Sequence, residues 1–149
     1  DLFYEDHIDY ETQREFEIGF DEETNRYTIP IRAELGDLVG VKARYFDRKV
    51  PDGMNKYIYL EPCAKSKILY GLYKTLPYIK RTGRIYVGEA EKFVQQAWSY
   101  GYQNTGGTGG KELSQYQIDM LVRLGVDILF RLLLISCTFL KSSLLIIAV

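Results

Sequence analysis

The sequence predicts an α/β fold in which a small antiparallel β subdomain precedes a core built on a parallel sheet. The first observation is a pair of alternating apolar and polar segments, residues 26–32 and 38–46, separated by a turn. The second is a later series of short apolar runs and amphipathic segments, in the order strand, helix, glycine-rich turn, helix, strand. Because strands that alternate with helices form parallel sheets, this second series predicts the core.

The composition limits the class of protein. With 149 residues and a net charge of −1, the chain can bury one core, and any contact with nucleic acid must come from a local patch of cations. The two cysteines, Cys63 and Cys137, lack the spacing of a metal site. We therefore expect no zinc ribbon in this chain and a reducing compartment, the cytoplasm.

The N-terminal half, residues 1–83, is predicted to be a basic, β-rich subdomain. The acidic residues 1–23 predict a loosely ordered lead-in with a strand near residues 16–20. The hairpin follows, and then a short strand at residues 56–62. Residues 75–83 predict the end of a short helix and a linker, where we place a soft boundary.

The central motif begins with the apolar run at residues 85–87, which predicts a buried strand. Glu89 follows directly, and from Ala90 the apolar residues recur at helical spacing until Gly101. A carboxylate therefore stands at the carboxyl end of a strand, the edge where ligands bind in open α/β sheets. Position alone favours an ordinary first-turn acid that the helix dipole stabilises.

The segments that follow favour a functional role for Glu89. Residues 105–111 form a glycine-rich turn, and Ser114 then begins a second helix, with Gln117 placed as in a capping box. Gly125 ends this helix, and residues 126–130 predict another buried strand.

These motifs resemble the Toprim domain of DnaG-type primases of bacteria and phages. Val-Gly-Glu-Ala-Glu-Lys at residues 87–92 is similar to that family's strand-end motif, commonly Glu-Gly-Glu-Lys-Asp, with Ala90 and Phe93 in place of its Gly and Asp. The glycine turn, the second helix and its strand resemble the segments that lead to the family's Asp-x-Asp metal site. The hairpin, the Lys-Tyr pair at residues 56–57 and Leu-Tyr-Gly-Leu at residues 69–72 also match, so the resemblance covers about residues 16–130.

The resemblance implies a catalytic-core fragment of a DNA primase, which makes RNA primers on single-stranded DNA during phage DNA replication. It implies that Glu89 is the catalytic and metal-linked acid, with Mg²⁺ as cofactor. It also implies cations that bind nucleoside triphosphates or the template: Arg44, Lys56, Lys67 and Lys92. Single-stranded DNA, nucleoside triphosphates and a replicative helicase are the implied partners. The implied Toprim-like core spans residues 84–130.

The tail, residues 131–149, departs from the family. No Asp or Glu follows Asp127, so the Asp-x-Asp pair is absent and we expect impaired catalysis. Three interpretations compete: a membrane segment interrupted by Arg131 and Lys141, a strand and buried helix of the core, or an altered reading frame or incomplete chain. The composition changes abruptly where the acids are expected, which favours the third.

Other functions stay open at this point. One alternative is a noncatalytic nucleic-acid-binding remnant that uses the basic hairpin, and another is a different Toprim nucleotidyltransferase or nuclease. A membrane-tethered protein is the weakest alternative, and we expect no membrane partner.

Overall fold

The computed structural model of the protein describes residues 1–133 and 143–148. Within those residues the chain forms two four-stranded sheets and five α-helices. The helices are α1 (Leu2–Glu5), α2 (Tyr10–Glu15), α3 (Leu72–Thr82), α4 (Glu91–Ser99) and α5 (Gln115–Arg123). The strands are β1 (Gly19–Asp21), β2 (Arg26–Arg32), β3 (Leu38–Tyr45), β4 (Tyr57–Glu61), β5 (Arg84–Gly88), β6 (Thr105–Gly107), β7 (Ile128–Leu133) and β8 (Ser143–Ala148).

The first sheet is antiparallel throughout, with the strand order β1-β2-β3-β4. Strands β2 and β3 form the hairpin that the alternating pattern predicts, with Arg26 opposite Tyr45 and Arg32 opposite Leu38. The short strand predicted at residues 56–62 is β4, which forms one edge of this sheet. The antiparallel part of the predicted fold class is therefore confirmed.

The start of the chain differs from the predicted loosely ordered lead-in. It forms two short helices, whose N-cap side chains Asp1 and Asp9 accept hydrogen bonds from the backbone of Phe3 and Thr12. The strand expected near residues 16–20 begins later, as β1. Helices of four and six residues are too short to show a helical period, so the sequence pattern could not reveal them.

The second sheet has the strand order β6-β5-β7-β8. Strand β5 lies parallel to both β6 and β7, and β8 pairs antiparallel to β7. Strands β5 and β7 are the two buried strands of the prediction, which confirms the parallel-sheet core. Strand β6 is an addition: the start of the predicted glycine turn pairs with residues 86–88. Glycine does not favour strands, so this extended conformation is imposed by pairing with β5.

Both predicted helices of the core are present. Helix α4 begins after Glu89 and Ala90, and the chain leaves it through Gly101, whose φ of 82° suits glycine. Helix α5 begins with the predicted capping box, in which the Ser114 side chain accepts from Gln117 N at 3.1 Å and the Gln117 side chain accepts from Ser114 N at 3.0 Å.

Two hydrophobic clusters stabilise these layers. One packs α3 and α5 against the second sheet, and α3 contributes Leu72 and Ile79 to it. Helix α3 therefore extends further back than the helix end predicted at residues 75–83. The other cluster lies between the first sheet, the N-terminal helices and α4, which contributes Phe93 and Val94. Helix α4 thus packs on both halves of the chain. The strand-end turn, Glu89 and Ala90, joins β5 to the start of this helix.

The tail is described only in part. Strand β7 continues past the predicted end at residue 130, and β8 adds an antiparallel edge to the sheet. The three interpretations of the tail also concern residues 134–142 and 149, which lie outside the described residues. Of the helices in the described ranges, none has the length and apolar character needed to cross a membrane.

Candidate functional site

Glu89 lies where the sequence predicts it, directly after the last residue of β5. Its side chain is exposed and, among the residues that the structure describes, it forms no hydrogen bond or ion pair. Gly88 before it is buried, and a Cβ at that position would overlap the ring of Phe93. The strand end therefore requires glycine, because the first turn of α4 packs directly against it.

The glycine-rich segment lies beside the turn that carries Glu89. Thr108 N donates a hydrogen bond to the carbonyl oxygen of Gly88 at 2.9 Å. Gly107 exchanges two backbone hydrogen bonds with Tyr70, at 2.8 and 3.1 Å, so the Leu-Tyr-Gly-Leu motif reaches the same place. Motifs that are distant in the sequence therefore meet at the carboxyl edge of β5.

A cleft of about 90 Å³ opens between the first sheet, the N-terminal helices and the start of α4. Ala90, next to Glu89, lines this cleft, and so do two of the predicted cations, Arg44 and Lys92. The cleft combines apolar walls with a set of charged and polar side chains: Asp6, Lys42, Arg44, Glu91, Lys92 and Gln95.

A buried ion pair joins the hairpin to α4 in this cleft. Lys42 Nζ on β3 lies 2.8 Å from Glu91 Oε2, and the two side chains are 17% and 6% exposed. Burial alone would lower the pKa of Lys42, but the neighbouring Glu91 carboxylate outweighs it and raises that pKa. Lys42 therefore stays charged at neutral pH and fixes the start of α4 against the first sheet.

Lys92 is held by a second carboxylate. Its Nζ lies 2.6 Å from Asp6 Oδ2, and Asp6 also contacts the guanidinium of Arg48 at 3.1 Å. Burial would raise the pKa of Asp6, but the cations Lys92 and Arg48 overcome that effect and lower it. The predicted binding residue Lys92 is thus near the strand-end turn but already paired.

Arg44 and Lys56 meet around one tyrosine. The Arg44 side chain is nearly buried and donates to the carbonyl of Tyr45 at 2.9 Å. Its guanidinium carbon and Lys56 Nζ each lie 5.9 Å from the ring centroid of Tyr57. Within the described residues neither cation has a carboxylate partner, so both keep their charge available for an anion.

Lys67 is placed apart from the other predicted cations. It ends a single 3-10 turn, Lys65–Lys67, and its ammonium lies 6.0 Å from the ring of Tyr116 on α5. Its side chain is exposed and does not line the cleft. The structure therefore brings Arg44, Lys56 and Lys92 to one region and leaves Lys67 outside it.

The sequence did not indicate that Asp6 and Gln95 line the cleft, nor that Glu91 pairs with Lys42. Gln95 is fully buried; its Nε2 donates to the Tyr70 hydroxyl at 2.8 Å, and its Oε1 has no partner in the described structure. The alternating pattern of β3 predicts that Lys42 and Arg44 share one face of the sheet, and this was the only indication in the sequence that Lys42 lies at the site. The acid that meets Lys42 lies 49 residues away, beyond what a local pattern can indicate.

The described residues do not fit a complete Mg²⁺ site. Such a site needs oxygen ligands that converge, usually carboxylates with substrate phosphates. Residues 1–133 and 143–148 contain no group of three or more His, Cys, Asp or Glu side chains placed to hold a metal. Glu89 stands alone at this edge, and Glu91 is committed to Lys42.

The order β5-α4-β6-α5-β7, a strand-end Glu and a preceding antiparallel sheet define a Toprim-like α/β core of the primase type. The chain has the fold of the catalytic core of DnaG-type primases. The Aquifex aeolicus primase, solved with its zinc-binding and RNA polymerase domains, matches with a TM-score of 0.77 and 22% identity, over 88% of this chain and 41% of that one. A DnaG primase catalytic domain bound to single-stranded DNA matches with a TM-score of 0.70 and 19% identity, over 87% and 53%.

The chain is also similar in sequence to a prophage-derived protein. The SPbeta prophage-derived uncharacterized protein YorJ of Bacillus subtilis (strain 168) is 32% identical in an alignment of length 136 that covers 83% of this chain and 35% of YorJ. The chain therefore spans about a third of YorJ and about half or less of the two primase structures. No protein-family model matches the chain.

Proposed function

We propose that the chain is the catalytic-core part of a DNA primase, which joins ribonucleotides into a short primer on single-stranded DNA. The observation that carries this proposal is the position of Glu89 at the end of the central strand, beside a cleft whose facing wall is the basic strand β3. The likeness to primase cores supports it, since one of them was solved with single-stranded DNA. The prophage origin of YorJ supports a role in phage DNA replication.

The chemistry assigns a role to each group. In primer synthesis a ribose hydroxyl attacks the α-phosphate of a nucleoside triphosphate, the hydroxyl proton is lost and pyrophosphate leaves. Glu89 would accept that proton, since its carboxylate is exposed and unpaired among the described residues. Arg44 and Lys56 would neutralise phosphates of the incoming nucleotide or of the template.

The other two predicted cations contribute differently. Lys92 would bind a phosphate only by exchanging its ion pair with Asp6, which makes it the weaker contact. Lys67 would contact the template outside the cleft, where its exposed side chain lies beside Tyr116. Both assignments follow from the resemblance of the sequence to the family.

We propose that primer synthesis by this chain is impaired. The sequence contains no Asp or Glu after Asp127, so the Asp-x-Asp pair that should follow β7 is missing. The Mg²⁺ that the resemblance implies would have Glu89 alone as its carboxylate among the described residues, which is too few to hold the ion in a complete site.

The lone carboxylate favours a second candidate, a noncatalytic nucleic-acid-binding protein that keeps the basic cleft. Arg44 and Lys56 do not depend on Glu89 for their positions, because they lie on or next to strands of the first sheet. Another Toprim nucleotidyltransferase or nuclease remains the third candidate, since a strand-end acid serves those reactions as well.

The remaining parts of the proposal concern organisation and partners. We propose a basic subdomain at residues 1–83, a Toprim-like core at residues 84–130 and an atypical tail at residues 131–149. Helix α3, at the end of the first part, packs on the sheet of the second. Nucleoside triphosphates and a replicative helicase are the proposed partners beside single-stranded DNA, in the cytoplasm of the host.

A primer-synthesis assay separates the candidates. The chain is incubated with labelled ribonucleotides, Mg²⁺ and a single-stranded template, next to Glu89→Gln and the control Glu22→Gln, which changes an exposed acid in the β1–β2 turn. We expect weak, template-dependent product that Glu89→Gln abolishes and Glu22→Gln preserves. Template binding without any product would support the noncatalytic candidate. Product that is unaffected by Glu89→Gln would contradict the proposed role of Glu89, and cleavage of the template would favour a nuclease.

A further inference from the structure

Two tyrosines on the edge strand β4 share one face of the first sheet. Tyr57 and Tyr59 are separated by one residue, so their side chains project to the same side. Each is 39% exposed, although β4 borders the cleft. Alternate positions of an antiparallel strand lie about 6.8 Å apart, so the two rings form a short ladder along the sheet edge.

Cations stand directly beside both rings. In the register of β3 and β4, Arg44 is opposite Tyr57 and Lys42 is opposite Tyr59. Lys42 Nζ lies 4.9 Å from the centroid of Tyr57 and 6.0 Å from that of Tyr59. Arg44 and Lys56 lie 5.9 Å from the Tyr57 ring, so the Tyr57 end of the ladder has beside it the two cations that lack a carboxylate partner among the described residues.

This combination matches what single-stranded nucleic acids require. Proteins that bind single strands pair a cationic track for the phosphates with aromatic rings on which successive bases stack. Burial and the nearby Glu91 raise the pKa of Tyr59, with Lys42 acting in the opposite direction, so the Tyr59 ring is neutral at physiological pH and does not repel phosphates. The positive charge of Arg44 and Lys56 is complementary to the phosphodiester backbone.

The spacing of the rings selects the form of the ligand. Bases in a stacked strand rise by about 3.4 Å each, half of the distance between alternate side chains on a β-strand. One base on each ring therefore requires successive bases to separate from each other. An extended single strand can do this, whereas a duplex keeps its bases stacked.

A structural role for the rings is the competing explanation. Tyr57 and Tyr59 flank the Lys42–Glu91 ion pair and help to exclude water from it. That role accounts for the buried part of each ring and would be kept by any aromatic side chain. It does not account for two exposed rings beside Lys56 on β4, an edge strand with no further strand next to it among the described residues.

We propose that Tyr57 and Tyr59 form a stacking platform for two bases of a single-stranded nucleic acid, with Arg44 and Lys56 on the flanking phosphates. The platform rests on the nucleic-acid binding in the proposed function and specifies where the bases lie. It needs no catalysis, so it applies equally to the catalytic and noncatalytic candidates.

Binding of a labelled oligothymidylate, followed by fluorescence anisotropy, tests the platform. Tyr57→Ala and Tyr59→Ala should each weaken binding roughly 5- to 150-fold, the effect of losing one base–aromatic stack. The corresponding Phe variants should bind like the wild type. Tyr102→Ala is the matched control, because that tyrosine is 59% exposed and lies in the segment after α4.

The salt dependence separates stacking from charge. The Ala variants should keep the wild-type slope of affinity against salt, whereas Lys56→Ala should reduce it by about one. If the wild type binds and both Ala variants match Tyr102→Ala, the platform is wrong while nucleic-acid binding stands. If the wild type does not bind, the nucleic-acid part of the proposed function is itself refuted, and the platform with it.

A measurement on the unmodified chain guards against misfolded variants. An oligonucleotide that carries 5-iodouracil crosslinks to aromatic side chains on which its bases stack when it is irradiated. We expect the crosslinked peptide to contain Tyr57 or Tyr59. Crosslinks confined to other tyrosines would overturn the proposal.

Discussion

Breaking the Lys42–Glu91 pair from the lysine side should destabilise the protein strongly. Lys42→Met keeps the length of the side chain and removes its charge. Glu91, whose side chain is only 6% exposed, then keeps a charge without its partner. Removing one partner of a buried ion pair costs about 3–5 kcal/mol.

The position of Glu91 moderates that cost. It is the first residue of α4, where the helix dipole stabilises a carboxylate by roughly 1 kcal/mol. We therefore expect Lys42→Met to lower the free energy of unfolding by about 2–4 kcal/mol, which corresponds to a fall in Tm of roughly 4–16 °C for a chain of this size.

Urea and thermal unfolding, followed by circular dichroism, measure this effect. The double variant Lys42→Met/Glu91→Met should recover most of the loss, because no charge is then buried. Lys74→Met is the control: its pair with Glu15 has a similar N–O distance, 2.9 Å, but is exposed, so it should cost only about 0.2–1 kcal/mol. If Lys42→Met cost no more than Lys74→Met, the cleft would be open to water and the reasoning would be refuted.

Two further predictions concern the strand end and the N-terminal helices. Gly88→Ala should destabilise the protein by about 1–3 kcal/mol, because the new methyl group overlaps Phe93. Gly110→Ala is the control and should not destabilise the protein, because the space around that position is open. Equal losses of stability for the two variants in thermal unfolding would contradict the predicted overlap. The lowered pKa of Asp6 stabilises the fold above the ordinary carboxyl pKa, and this contribution is lost as the pH falls through the lowered value. Asp6→Asn should therefore reduce the loss of stability in acid-unfolding titrations, and an unchanged titration would show that the pair with Lys92 is not formed.

The sequence predicted those parts of the fold whose signals are local. The alternation in β2 and β3, the glycine at the end of α4 and the capping box of α5 each depend on neighbouring residues, and each is confirmed. The position of Glu89 at the end of β5 was predicted for the same reason, since a change of period marks it.

The parts that the sequence did not predict depend on contacts between distant segments. Strand β6 is extended because β5 pairs with it, although its residues are typical of a turn. The ion pairs of Glu91 with Lys42 and of Lys92 with Asp6 join segments with no shared pattern. Because no local pattern links Lys92 to Asp6, Lys92 was expected to be available for phosphates. In the fold it is paired with the Asp6 carboxylate.

The most direct test of the account is a hydrogen-exchange footprint of the wild-type chain with and without a single-stranded oligonucleotide. The account predicts slower exchange in two separate segments, β3 to β4 and the turn from β5 into α4, because the ligand lies in the cleft between them. Helix α3, which does not line the cleft, should be unchanged. Protection confined to α3, or protection of only one wall of the cleft, would contradict a shared site for Glu89 and the basic hairpin.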